Sequence, residues 1–162
     1  MAIFLSQLEK IQSYTSQYSN CSMLIIGEPN FLFTFEDLLN SKIFNIVKKD
    51  DAEADHEITL ETIKDLLRVE RLETLDFDEK SSFSLDLNVI HDPVNEPYDV
   101  VWDNGVLYWL FNPRNGIHNM TQLVKNNGII VHNFSLTGHY GFGYFNFHPR
   151  FFDDFYKINK EE

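Results

Sequence analysis

The sequence predicts an α/β fold, a doubly wound and mainly parallel sheet with helices packed on both faces. Two patterns predict it. Short apolar runs suited to buried strands alternate with amphipathic stretches of helical period, the signature of strand–helix–strand units. Four runs end in Gly or Asp, at Gly27, Asp76, Asp92 and Asp103, on the edge where parallel sheets receive ligands. Such residues also end strands simply because they make turns. A chain of 162 residues with 43% apolar content can bury one sizeable core. A single domain over 1–162 is therefore expected, with an N-terminal helix (1–20) leading into an α/β core (21–162).

Each element has its own signal. Phe4, Leu8, Ile11, Tyr14 and Tyr18 recur at spacings of three and four, one stripe of a helix over 3–18. Ser22 to Ile26 is an apolar run stopped by Gly27 and Pro29, a buried strand. Thr34 can cap a helix over 35–40, with Glu36 and Asp37 in its first turn. A strand is expected at 43–47 and a polar, acidic loop at 48–57. Thr59 can cap a helix to Leu67 that buries Leu60, Ile63, Leu66 and Leu67. Strands follow at 72–75, 88–90, 98–102 and 128–133, with helices at 115–125 and 151–156.

Composition narrows the function. The formal net charge is −12 and there is no basic run, which disfavours general binding to nucleic acid, where Lys and Arg must meet phosphates. Cys21 is alone, so an internal disulfide and a cysteine metal cluster are excluded. No stretch reaches the roughly 18 apolar residues of a membrane span, and the first 18 residues carry no export signal. A cytoplasmic location is expected. Seven of the fifteen Phe fall after position 133, so the C-terminal part must bury aromatic rings or offer them to a ligand.

Three stretches carry a family resemblance. Tyr98 to Leu107 is an apolar strand ending in Asp103-Asn104-Gly105. Leu123 to Val131 is a helix–turn–strand passing through Asn127-Gly128. Gly141 to Tyr156 is an aromatic tail built around Pro149, Phe151, Phe152, Asp154, Phe155 and Tyr156. Together they resemble class I S-adenosylmethionine-dependent methyltransferases, and the tail resembles a subgroup from bacterial and viral glycan-modifying gene sets. Leu75 to Asp78, Ile90 to Pro97 and Gly27 to Thr34 fit the same subgroup. The resemblance implies a Rossmann-like sheet, S-adenosylmethionine as cofactor, and O-methylation of a sugar or glycan precursor. It implies that Asp76 or Asp78 accepts the ribose hydroxyls, Asp92 the adenine amine, and that Gly27 allows close backbone approach. Asp103, Asn104 and Gly105 would line the methionine end.

Methyl transfer to a hydroxyl needs a base. His132, after the last strand, and His139, in the following Gly-rich loop, are the candidates, each of which could equally be a hydrogen-bonding loop histidine. Trp109, Tyr140 and Tyr144 are candidate substrate contacts, or packing residues. No metal is expected: His132, His139 and His148 are spaced by seven and nine, unlike a compact zinc pattern. Ser135 beside His139 lacks the nucleophile-elbow glycines of a hydrolase. Three features support a different expectation, a non-catalytic module paired with another chain or with a second copy. The first segment keeps one glycine, Gly27, followed by Glu28-Pro29. Tyr108-Trp109 stands where the subgroup has Glu-His. The closing antiparallel strand pair of these sheets has no sequence to form it.

Overall fold

In the computed structural model, which describes residues 2–41, 57–77, 80–136 and 141–159, thirteen elements succeed one another. They are β1 (Ala2–Ile3), α1 (Leu5–Thr15), β2 (Ser22–Ile26), β3 (Asn30–Phe31), α2 (Phe35–Leu39), α3 (Leu60–Leu67), β4 (Arg71–Asp76), β5 (Phe83–Ser84), β6 (Tyr98–Asp103), a 3₁₀ turn (Leu107–Trp109), α4 (Pro113–Leu123), β7 (Val124–His132) and α5 (Pro149–Ile158). Five strands form one sheet in the order β5-β4-β2-β6-β7, and each neighbouring pair is parallel. β1 and β3 pair separately. The fold is thus the Rossmann-like α/β arrangement that the alternation predicts. No described helix is long and apolar enough to cross a membrane.

Alternation along the central strands divides the core in two. Met23 and Ile25 of β2, with Val100 and Trp102 of β6, meet Leu8 and Ile11 of α1 and Ile63, Leu66 and Leu67 of α3. Leu24 and Ile26, with Val101 and Leu75, face Ile117, Met120 and Leu123 of α4 and the rings of Phe152, Phe155 and Tyr156 of α5. A period of two in the strands matched to one apolar stripe per helix produces this. Each fully buried Leu, Ile or Val contributes about 1.5–3 kcal/mol. Thr34 and Thr59 cap α2 and α3 as expected, accepting the N–H groups of Asp37 and Thr62.

Three differences from the sequence reading have local causes. Residues 88–90 are a turn, not a strand: Asp86 Oδ1 accepts the Asn88 N–H at 2.9 Å, and Val89 N–H donates to Asp86 O at 3.1 Å. The Asp side chain takes the backbone donor a ladder would need, and the short strand beside β4 is Phe83–Ser84 instead. The last strand begins at Val124, directly after α4, with an irregular register between Tyr98 and Val100. Asn127 is left-handed there (φ 64°), and a Cβ on Gly128 would lie 2.9 Å from the carbonyl oxygens of both Asp99 and Lys125. The expected strand at 43–47 lies outside the described residues, as does all of the expected loop at 48–57 except Glu57.

Candidate functional site

The strand order creates the site. From β2 the chain passes to β4 on one side of the sheet, then returns across it to β6 on the other. The connections leaving β2 and β6 diverge, and such switch points open a crevice at the carboxyl edge. A cavity of about 460 Å³ lies there, within the range of small-ligand sites. Ile26, Leu75, Asp76 and Phe77 line it from the ends of β2 and β4. Leu85, Asp86, Leu87 and Asn88 come from the loop after β5. Val106, Trp109, Leu110 and Phe111 come from the segment after β6.

Asp76 ties the strand ends together. Its Oδ2 accepts the Glu28 N–H at 2.7 Å and its Oδ1 the Phe77 N–H at 2.6 Å. Gly27 N–H donates to Leu75 O at 2.8 Å, and Gly27 has φ 94°. The turn after β2 therefore offers no phosphate cradle. Its Glu28 N–H is held by Asp76, Pro29 has no N–H, and the next element is β3 rather than a helix N-terminus.

Asp86 is the second carboxylate. The Asn88 backbone N–H, then the Asn88 side-chain amide, hold its carboxyl below the usual range, so it stays ionised. Its loop is fastened from α4. Asn119 Oδ1 accepts the His91 N–H at 3.0 Å, and Asn119 Nδ2 donates to Leu87 O at 3.2 Å and Val89 O at 2.8 Å. Asn115 Nδ2 donates to Asn88 O at 2.6 Å, and Asn112 N–H to Asn88 Oδ1 at 3.0 Å. Asp86, Asn88 and this asparagine clamp were missed in the sequence. The available signal was the spacing of 112, 115 and 119, three and four apart on one helical face.

Beside the cavity, the end of β6 is closed. Asp103 is fully buried, its Oδ1 accepting the Val106 N–H at 2.8 Å and its Oδ2 lying 2.9 Å from His132 Nδ1. His132 Nε2 lies 2.7 Å from the Tyr156 hydroxyl. Every donor meets an acceptor when Nδ1 carries the proton and Nε2 accepts from Tyr156. The His132 ring stacks on Phe152 at 4.3 Å, and its side chain is only 8% exposed. Burial, then the Asp103 charge, pushes the Tyr156 hydroxyl well above the usual tyrosine range. Asn104 N–H donates to Ile26 O at 3.2 Å, and Asn104 Oδ1 accepts from Asn133 Nδ2 at 3.0 Å. Asn104 Nδ2 is buried with no partner among the described residues. Gly105 (φ 79°) turns the chain into the 3₁₀ segment.

Of the expected site residues, Asp76 and Trp109 line the cavity, and Gly27, Asp103, Asn104 and Gly105 sit buried at the strand ends next to it. Tyr144 reaches the mouth by stacking on Phe111 at 4.6 Å. Asp92 does not line the cavity: it sits exposed in the loop before β6, and the carboxylate this connection contributes to the cavity is Asp86. His132 does not line it either, both of its ring nitrogens being engaged. Asp78, His139 and Tyr140 lie outside the described residues. His148 caps α5, accepting the Arg150 N–H at 3.2 Å, and among the described residues no three His, Cys, Asp or Glu are grouped to hold a metal. No protein-family model, curated protein or solved structure matches the chain.

Proposed function

We propose that the chain is an S-adenosylmethionine-dependent methyltransferase whose donor occupies the cleft at the ends of β2 and β4. The observation that carries this reading is the chemistry of that cleft. The switch point that serves nucleotide ligands is present, but its titratable lining groups among the described residues are two carboxylates, and its first turn cannot cradle phosphate. That combination disfavours pyrophosphate cofactors and nucleotide sugars and suits an uncharged nucleoside carrying a cationic group. The donor set fits the nucleoside half. Asp76 keeps lone pairs for a ribose diol, Leu85, Leu87 and Leu110 offer an apolar slot for a base, and Asp86 can accept from its amine. Asn104, buried at the end of β6 beside the cleft, has an Nδ2 with no partner among the described residues. The cofactor would supply an activated methyl group; the chain's own residues would hold donor and acceptor in line and keep water out.

The acceptor proposed from the sequence resemblance is a hydroxyl of a sugar or glycan precursor, and the protein would work in the cytoplasm. Calorimetric titration with S-adenosylhomocysteine tests the donor site. Micromolar binding is expected, weakened at least about tenfold in Asp76→Asn, the loss of one charged hydrogen bond to the ligand. Neither NAD nor ATP should compete. Absence of heat at millimolar ligand, with the protein folded, refutes the reading.

One observation favours a second reading, a module completed by another chain or a second copy. β7 pairs only with β6, so the outer edge of a nine-residue strand meets no described strand. A stable dimer by light scattering that dissociates on Ile130→Pro, with no homocysteine-ligand binding in either form, would support it in place of the first.

A further inference from the structure

The mouth of the cleft carries more aromatic surface than its interior requires. Trp109 and Phe111 line the cavity yet remain 41% and 74% exposed, and Tyr144, at 57%, stacks on Phe111 with the rings 4.6 Å apart and 19° from parallel. The Trp109 ring meets Tyr144 at 81°, and the two centroids are 6.4 Å apart. These rings come from two segments and are held in register. Tyr144 N–H donates to Tyr108 O at 2.6 Å, and Gly143, with φ 73°, lets the tail approach where a Cβ would lie 2.7 Å from that same oxygen. The result is a right-angled aromatic corner opening on a cavity. Contiguous exposed apolar surface of this kind marks a binding site.

Charge decides what fits the corner. Aromatic faces carry negative potential and attract cations within about 6 Å of the ring centre. Asp76 and Asp86 share the same cavity, no Lys or Arg among the described residues lines it, and the whole chain carries a formal −12. An anion is repelled by rings and carboxylates alike, a neutral molecule gains only contact area, and a cation gains from both. We propose that the corner of Trp109, Phe111 and Tyr144 is a subsite for a small organic cation, a quaternary or protonated alkylamine, bound as the second ligand of the cleft. Only the role of this ligand as acceptor rests on the methyl-transfer reading. An amino sugar carries both the ammonium group demanded here and the hydroxyl proposed above.

The probe is choline, compared with its uncharged isostere in which carbon replaces the nitrogen. The readout is quenching of Trp109 fluorescence over the background of buried Trp102, with and without saturating S-adenosylhomocysteine. Choline should bind saturably in both cases and at least about tenfold more tightly than the isostere. Tyr144→Leu should weaken choline about fivefold to tenfold while leaving the melting temperature and homocysteine-ligand binding unchanged. Equal binding of the isostere, or no binding of either probe, overturns the proposal. So does displacement of choline by S-adenosylhomocysteine, which would assign the corner to the donor. Binding of choline by a chain that ignores S-adenosylhomocysteine would leave the cation subsite standing and remove the donor reading.

Discussion

Replacing Asn119 by Ala tests whether α4 holds the cleft loop. Asn119 is 3% exposed, and its amide makes three hydrogen bonds to the backbone of residues 87–91. The variant leaves the His91 N–H and the Leu87 and Val89 carbonyls without that partner. The exposed Val89 carbonyl can turn to water; Leu87 is buried and cannot do so without opening the loop. At about 1 kcal/mol for each bond, and somewhat more for a group left buried, the expected loss is about 3 kcal/mol. With a urea dependence of about 2 kcal/mol per M, the unfolding midpoint falls by about 1–2 M. Urea titration followed by tryptophan fluorescence measures this directly. Asn119→Asp should fare no better, because it keeps the acceptor for His91 but loses both donors and buries a charge. A loss below about 0.5 kcal/mol, the range of an ordinary surface change, would show that the loop holds itself and refute the clamp.

Other expectations follow from particular contacts. Gly128→Ala should cost about 1–3 kcal/mol by calorimetric melting, since its Cβ would press on the carbonyls of Asp99 and Lys125. Asp99 loses charge stabilisation to burial, but the Lys125 ammonium and the Ser22 N–H and hydroxyl outweigh this and lower its pKa. A depressed folded-state pKa gives stability that is complete above the unfolded value of about 3.9 and lost as pH falls through the folded one, so Asp99→Asn should flatten the acid limb of a stability–pH curve. Burial, then the Asp99 charge, pushes the Cys21 thiol up to about 11. Native protein at pH 8 should resist a thiol reagent that labels the urea-unfolded chain within minutes.

The parallel sheet was legible because its signals are local and redundant. Met23 to Ile26 is apolar throughout, and Thr34 and Thr59 announce their helices by side-chain oxygens placed just ahead of them. The loop 85–97 was not legible, for a tertiary reason. Asn88-Val89-Ile90 has the composition of a strand, but Asp86 takes the Asn88 N–H and α4 takes the carbonyls. Local propensity cannot register partners that lie roughly thirty residues away. The same distance hides the place of Asp86: nothing local to Phe83-Ser84-Leu85 marks it, and only the fold brings it to the crevice. The short parallel strand at Phe83–Ser84 offered too little sequence to carry a period.

The carboxyl edge of the sheet also separates what the sequence grouped together. On one side of the switch point lies an open crevice lined by two carboxylates; on the other, Asp103, His132 and Tyr156 form a closed chain joining β6, β7 and α5. Asp103 has no exposed surface, and its two oxygens are taken by Val106 and His132. His132, with both ring nitrogens engaged and its ring stacked on Phe152, ties the end of β7 to α5. On the proposed reading, catalysis then falls to positioning, which can supply on the order of 7–11 kcal/mol for two aligned reactants. That requirement puts the weight on the residues that set the shape of the crevice, the asparagine clamp on one wall and the glycine-anchored aromatic corner on the other. Substitutions there should lower turnover even where no side chain touches the transferred group.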